Sequence, residues 1–134
     1  MAEWWGPQDD PEAVREGLEG AESYVIAVDG ETAGWLQVYE ENDPDYRYGG
    51  IDLFLAERFQ GHGLGPRAVQ AAVEMLVARG HHRITIDPAV DNERAIRAYE
   101  KAGFKPVGVM HRCERGADGS WHDNLLMELV LSPS

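Results

Sequence analysis

Between a short apolar run and a helix-like stretch lies Gln60-Gly61-His62-Gly63-Leu64-Gly65-Pro66, with glycine at every second position. Neither a strand nor the interior of a helix is built this way, because glycine gains too much backbone freedom when released from either. The run Gly50–Leu55 before it has β-forming character, while Val69, Val73, Leu76 and Val77 after Pro66 recur at three- and four-residue spacing up to Gly80. The segment is therefore a tight strand-to-helix turn, with Pro66 expected at the first helical position. Glycines let a backbone approach a ligand closely, and free N–H groups at a helix start carry the positive end of the helix dipole, so the turn suits an anion. It is not a Walker loop, since no Gly-Lys-Ser/Thr ends it, and its glycines are not spaced as in a dinucleotide fingerprint. A glycine turn that holds no ligand stays open on these residues alone.

The rest of the chain supplies strands on both sides of this turn. Asp10-Pro11 reads as a helix start, with Val14 and Leu18 on one face up to Gly20. Ser23–Val28 and Thr32–Tyr39, joined by Asp29-Gly30, form an antiparallel hairpin. Glu40 to Gly49 is expected to be an acidic, aromatic loop or a frayed strand extension. His82–Ile86 is a short buried strand, Asn92–Ala102 a second helix closed by Gly103, and Val107–Cys113 and Asn124–Leu131 two last strands around Gly116-Ala117-Asp118-Gly119. Hairpins mixed with strand-helix-strand units predict an α/β (α+β) protein with a mixed central sheet, as one domain over residues 1–134.

Charge narrows the partners. Twelve basic against twenty-four acidic residues give a net charge of -12, which repels nucleic acid phosphate and attracts cations. No apolar run approaches the ~20 residues of a membrane span, and no basic-then-apolar signal opens the chain, so the expected location is the cytoplasm. Cys113 is the only cysteine, expected as a half-buried, inert thiol, and the five histidines lack the spacing of a metal site, so no metal is expected.

Two motifs resemble one family. Gln60-x-x-Gly63-x-Gly65 after an apolar strand resembles the acetyl-CoA pyrophosphate motif of the GNAT superfamily of N-acetyltransferases, and Asp91-Asn92-Glu93-Arg94-Ala95-Ile96-Arg97-Ala98-Tyr99-Glu100-Lys101-Ala102-Gly103-Phe104 is similar to its second signature. The resemblance spans nearly the whole chain. It implies a GNAT fold with the pantetheine arm between the strands ending at Leu55 and Ile86, and acetyl-CoA as cosubstrate. By the same resemblance Gln60, Gly61, His62, Gly63, Leu64 and Gly65 bind the pyrophosphate, the backbone of Phe54 and Leu55 the pantetheine amides, and Asn92 the pantetheine. Tyr99 assists the departing thiolate. On a helix Asn92, Ile96 and Tyr99 share a face, since seven residues make almost two turns.

Gly50-Ile51-Asp52, Thr85-Ile86-Asp87-Pro88 and Trp4-Trp5-Gly6 further resemble the aminoglycoside 6'-N-acetyltransferases within that superfamily. This implies a cationic amine acceptor. A carboxylate in mid-strand is unfavourable unless it faces a cleft, so Asp52 is the candidate base and amine ligand. Asp87 is expected to bind a second ammonium or to cap its turn, while Trp5, Glu40 and Tyr48, with Trp35 and Tyr46, are candidates for the acceptor wall. Family members usually begin with a strand and helix ahead of Trp-Trp-Gly, so these two elements are expected to be missing and a homodimer to complete the wall. Other acceptors fit the same machinery: a polyamine, a siderophore precursor or a protein lysine. A non-catalytic CoA-binding domain is the alternative of a different class.

Overall fold

The computed structural model describes residues 2–4 and 21–132. The helix expected from Asp10 and the acceptor candidate Trp5 lie outside the described residues. Among the described residues, seven strands form one sheet in the order β1-β2-β3-β4-β5-β7-β6: β1 Ala2–Trp4, β2 Glu22–Val28, β3 Glu31–Glu41, β4 Tyr48–Leu55, β5 Arg83–Ile86, β6 Lys105–Arg115 and β7 Trp121–Val130. Every neighbouring pair is antiparallel except β4 with β5, so the sheet is mixed, as the sequence pattern predicts. No helix among the described residues is long and apolar enough to cross a membrane.

The Asp29-Gly30 turn holds both residues at positive φ, 48° and 82°, the twist that suits a two-residue hairpin. The acidic stretch is in part the strand extension that the sequence allows. Cross-strand pairs Glu40↔Gly49 and Glu41↔Tyr48 extend β3 and β4, leaving residues 42–47 as the connection.

Helices α1, Leu64–Ala78, and α2, Glu93–Lys101, pack on one face of the sheet. Leu64, Ala68, Val69, Ala72 and Leu76 of α1 meet Leu36, Val38, Ile51, Ile84, Ile86 and Met127 of the strands in one core that also takes in Tyr99 and Phe104. Val77, expected on that face, is 39% exposed, because one residue past Leu76 turns it about 100° away. Helix α1 starts two residues before Pro66, with Gly63 as N-cap at φ 80°. Pro66 then occupies the third position, where an N–H has no intrahelical partner to lose. Asn92 caps α2 by accepting the Ala95 N–H at 3.2 Å, and Gly103 leaves it at φ 105°, as a C′ glycine does.

Two departures from regular pairing shape the opposite face. Strand β4 meets β5 only at Gly49↔Ile84, Gly50↔Thr85 and Ile51↔Ile86, so residues 52–55 diverge from β5 and open a wedge. In β6 the register slips between Met110↔Asn124 and Glu114↔His122. Three residues of β6 thus span one of β7, a bulge centred on Arg112 at φ 49°. Asp123 holds it: its Oδ1 accepts the Arg112 N–H at 2.8 Å, and its Oδ2 lies 3.3 Å from His111 Nδ1. Cys113 sits in the bulge and is exposed, not half-buried.

Candidate active site

A cleft of about 500 Å³ lies between the end of β4, the glycine turn and the start of α2. Phe54, Leu55, Gln60, Gly61, Gly63, Gly65, Asn92 and Tyr99 line it. Of the residues expected at a cosubstrate, His62 and Leu64 do not. His62 is exposed away from the lining, and the Leu64 side chain is 7% exposed within the core, because the first helical turn aims it at the sheet; only its backbone is left to the cleft. The Gln60 amide donates to the Leu55 carbonyl at 3.0 Å, fastening the turn to the strand.

Gly61 and Gly63 adopt φ 79° and 80°, angles an L side chain rarely takes. A Cβ on Gly61 would lie 3.0 Å from an Arg94 guanidinium nitrogen. Arg94 thus sets a cation beside the turn, and it lines the cleft. Arg94 has no role among the expected site residues, although a cation in the first turn of α2 is a signal for one. A wedge-shaped strand edge, close-approach glycines, free N–H groups at a helix start and a guanidinium fit a pyrophosphate with an amide-bearing arm.

Tyr99 is 7% exposed, its ring tilted 59° to that of Phe104 at 6.2 Å. Burial, with a smaller part from the negative charge of Asp52, pushes its phenol up to about 12. That influence ties Tyr99 to a second cavity of about 490 Å³, on the face away from the helices, lined by Gln37, Tyr39, Tyr48, Gly50, Asp52, Thr85 and Asp87. Alternation explains the lining. Gln37↔Asp52, Tyr39↔Gly50 and Gly50↔Thr85 are cross-strand partners, all turned from the core.

Asp52 is open to this cavity but lies on its floor, and loss of bulk water raises its carboxyl pKa, with Glu114 adding to the rise and the Leu53 N–H opposing it. Asp87 is raised by the same loss of water and by the charges of Asp52 and Glu114, against a hydrogen bond from Asn124. The Asn124 amide donates to Asp87 Oδ2 at 3.2 Å and to Glu114 Oε2 at 3.1 Å. Neither Asn124 nor Glu114 is marked by the sequence as a neighbour of Asp87, because the bulge that sets their register leaves no periodic trace.

Glu40 is not part of this cavity. Two residues beyond Val38, it shares Val38's face of β3, toward α1. Its Oε1 lies 2.7 Å from His81 Nε2 and its Oε2 2.9 Å from Arg79 Nη1. Among the aromatic candidates Tyr48 lines the cavity; Trp35 and Tyr46 do not, and Tyr46 is 73% exposed.

A model of the acetyltransferase (GNAT) family matches residues 2–104. The aminoglycoside N(6')-acetyltransferase type 1 of Klebsiella pneumoniae is 35% identical over 133 residues, covering 82% of this chain and 65% of that protein. A kanamycin resistance protein of Rhizobium radiobacter is 48% identical over 73 residues, covering 53% of this chain and 66% of that protein. The chain thus spans just under two thirds of these relatives' length. The crystal structure of a Bacillus subtilis acetyltransferase in complex with CoA superposes with a TM-score of 0.74 at 20% identity, covering 98% of this chain and 99% of that one. The chain belongs to the acetyltransferase (GNAT) family.

Proposed function

We propose that the chain moves the acetyl group of acetyl-CoA to a primary amine of a cationic small molecule, the 6'-amine of an aminoglycoside being the first acceptor to try. The observation that carries this reading is Asp52, which lines one cavity and acts electrostatically on Tyr99 in the other. A candidate base and a candidate hydroxyl donor are thus near enough for the charge of one to bear on the other. The relatives' names support an aminoglycoside, and the net charge of -12 supports a cation. We place the chemistry in the cytoplasm on the acetyl-CoA requirement.

Arg94, Gly61, Gly63 and the N–H groups at the start of α1 would hold the pyrophosphate, and Asn92 with the open edge of β4 the pantetheine. Acetyl-CoA supplies the activated thioester. Asp52 accepts a proton from the acceptor ammonium, directly or through water, and orients the neutral amine. The raised pKa of Asp52 makes it a stronger base than an ordinary aspartate. Backbone N–H groups of β4 near Leu55 are placed to polarise a carbonyl, and the Tyr99 hydroxyl to donate to a departing sulfur. Release of free CoA thiol with kanamycin, beside spermidine and a lysine peptide, tests the reading. Release with kanamycin alone supports an aminoglycoside acceptor; release with another amine keeps the transfer and changes the acceptor; silence with all three refutes catalysis on these amines.

A further inference from the structure

The bulge in β6 decides which side chain reaches Asn124, which in turn bonds the cavity-lining Asp87. With Met110 opposite Asn124, an unbroken antiparallel ladder would set Arg112 opposite His122, on the same face as Asn124. The two extra residues set Glu114 there instead. A cation in that position is replaced by an anion.

We infer that Glu114 is a specificity-determining residue of the acceptor cavity, where it binds a second ammonium group of the amine being acetylated, and that the bulge held by Asp123 aims it there. The inference deepens the acetyl-transfer reading above and rests on it. Asn124 joins Glu114 to the cavity by donating to Glu114 on one side and to the lining residue Asp87 on the other. Asn124 is itself 4% exposed, and its Oδ1 has no hydrogen-bond partner. Its amide is clasped by two carboxylates, and a cationic N–H donor in the cavity would answer both. Among the described residues, Asp52, Asp87 and Glu114 form no ion pair with lysine or arginine, and the charge of Glu114 bears on both aspartates. One ammonium engaged at Asp52 leaves two carboxylates unanswered. An acceptor with a second ammonium matches the cavity better than a monoamine does.

The test compares kcat/KM for kanamycin, which carries several ammonium groups, with that for 6-amino-6-deoxyglucose, which presents a similar reacting amine alone. Glu114→Gln, an isosteric change at an exposed position, lowers the kanamycin-to-monoamine ratio about tenfold, the scale of one charge-assisted hydrogen bond. Glu74→Gln, which removes a charge from the exposed side of α1, leaves the ratio unchanged. An unchanged ratio in Glu114→Gln, or an equal fall in both variants, overturns the inference; the second result would assign the preference to the general negative field. If the unaltered protein releases no thiol with either acceptor, the acetyl-transfer reading fails separately. Calorimetric titration with kanamycin then decides the inference: weaker binding to Glu114→Gln supports it, and equal binding or none overturns it.

Discussion

Loss of bulk water around Tyr99 keeps its hydroxyl protonated at any working pH, since its pKa is about 12. Full proton transfer from such a phenol to a thiolate of pKa about 8.5 is uphill by roughly three and a half pH units, or about 5 kcal/mol. On the acetyl-transfer reading, Tyr99 would therefore act by a hydrogen bond to the developing thiolate. Tyr99→Phe should lower kcat by about 10- to 100-fold, the scale of one bond to a charged group, with acetyl-CoA affinity unchanged; steady-state kinetics and calorimetry measure both, and an unaltered kcat removes Tyr99 from the chemistry. Asp52 must be ionised to act as a base. Because burial and then Glu114 raise its pKa, the acid limb of kcat/KM should lie above the usual aspartate range, and Glu114→Gln should move it to lower pH. A limb that stays in place in the pH–rate profile contradicts this. The sign for stability is the reverse of the usual carboxylate case: a raised folded-state pKa favours the folded state as pH falls through it. Asp52→Asn should thus raise the melting temperature at neutral pH while abolishing turnover. Asp52 and Tyr99 stand out as candidates in the sequence because a mid-strand carboxylate and a motif tyrosine each leave a local mark. Glu40 misled for an avoidable reason, since its even spacing from Leu36 and Val38 already put it on the core face.

At the C-terminal end of α1, Arg79 bridges Glu22 at 2.7 Å and Glu40 at 2.9 Å, and Glu40 reaches the fully buried His81. The network ties β2 and β3 to the helix end. His81 chiefly, then Arg79, holds the Glu40 carboxyl below its ordinary pKa, so its contribution to stability is complete above the unfolded value and lost as pH falls through the folded one. Glu40→Ala strips His81 and Arg79 of a partner and should cost about 1–3 kcal/mol, read by denaturant titration, with the KM for the acceptor amine unchanged. A raised KM at full stability would return Glu40 to the acceptor site. At this scale most of the fold was legible: the Asp29-Gly30 hairpin, both helices and the strand-turn-helix at Gln60–Pro66 follow from turn chemistry and periodicity. The bulge was not, because its extra residues are polar or small and change a pairing partner 11 residues away, which no local window records. The strand expected over Val107–Cys113 runs on to Arg115 in the structure, and Glu114 falls in the part that the pattern leaves out.

The whole sheet consists of two smaller ones, β1–β4 and β5-β7-β6, joined in the ladder at three residue pairs. Their mutual order could be read from the sequence, since a strand-helix-strand unit favours parallel neighbours; the point where they part could not, because it depends on how far β4 outruns β5. A pantetheine arm lying in that wedge would act as a short strand between the halves. Acetyl-CoA should therefore slow amide hydrogen exchange along residues 52–55 as well as in the glycine turn, and raise the melting temperature with ligand concentration as mass action requires. Protection confined to the turn would mean that the wedge does not take the arm. The cosubstrate would then be a mechanical fastener as well as a reactant: each turnover would begin by stiffening the seam of the sheet and end by loosening it, so a seam stabilised by mutation would hold its product longer.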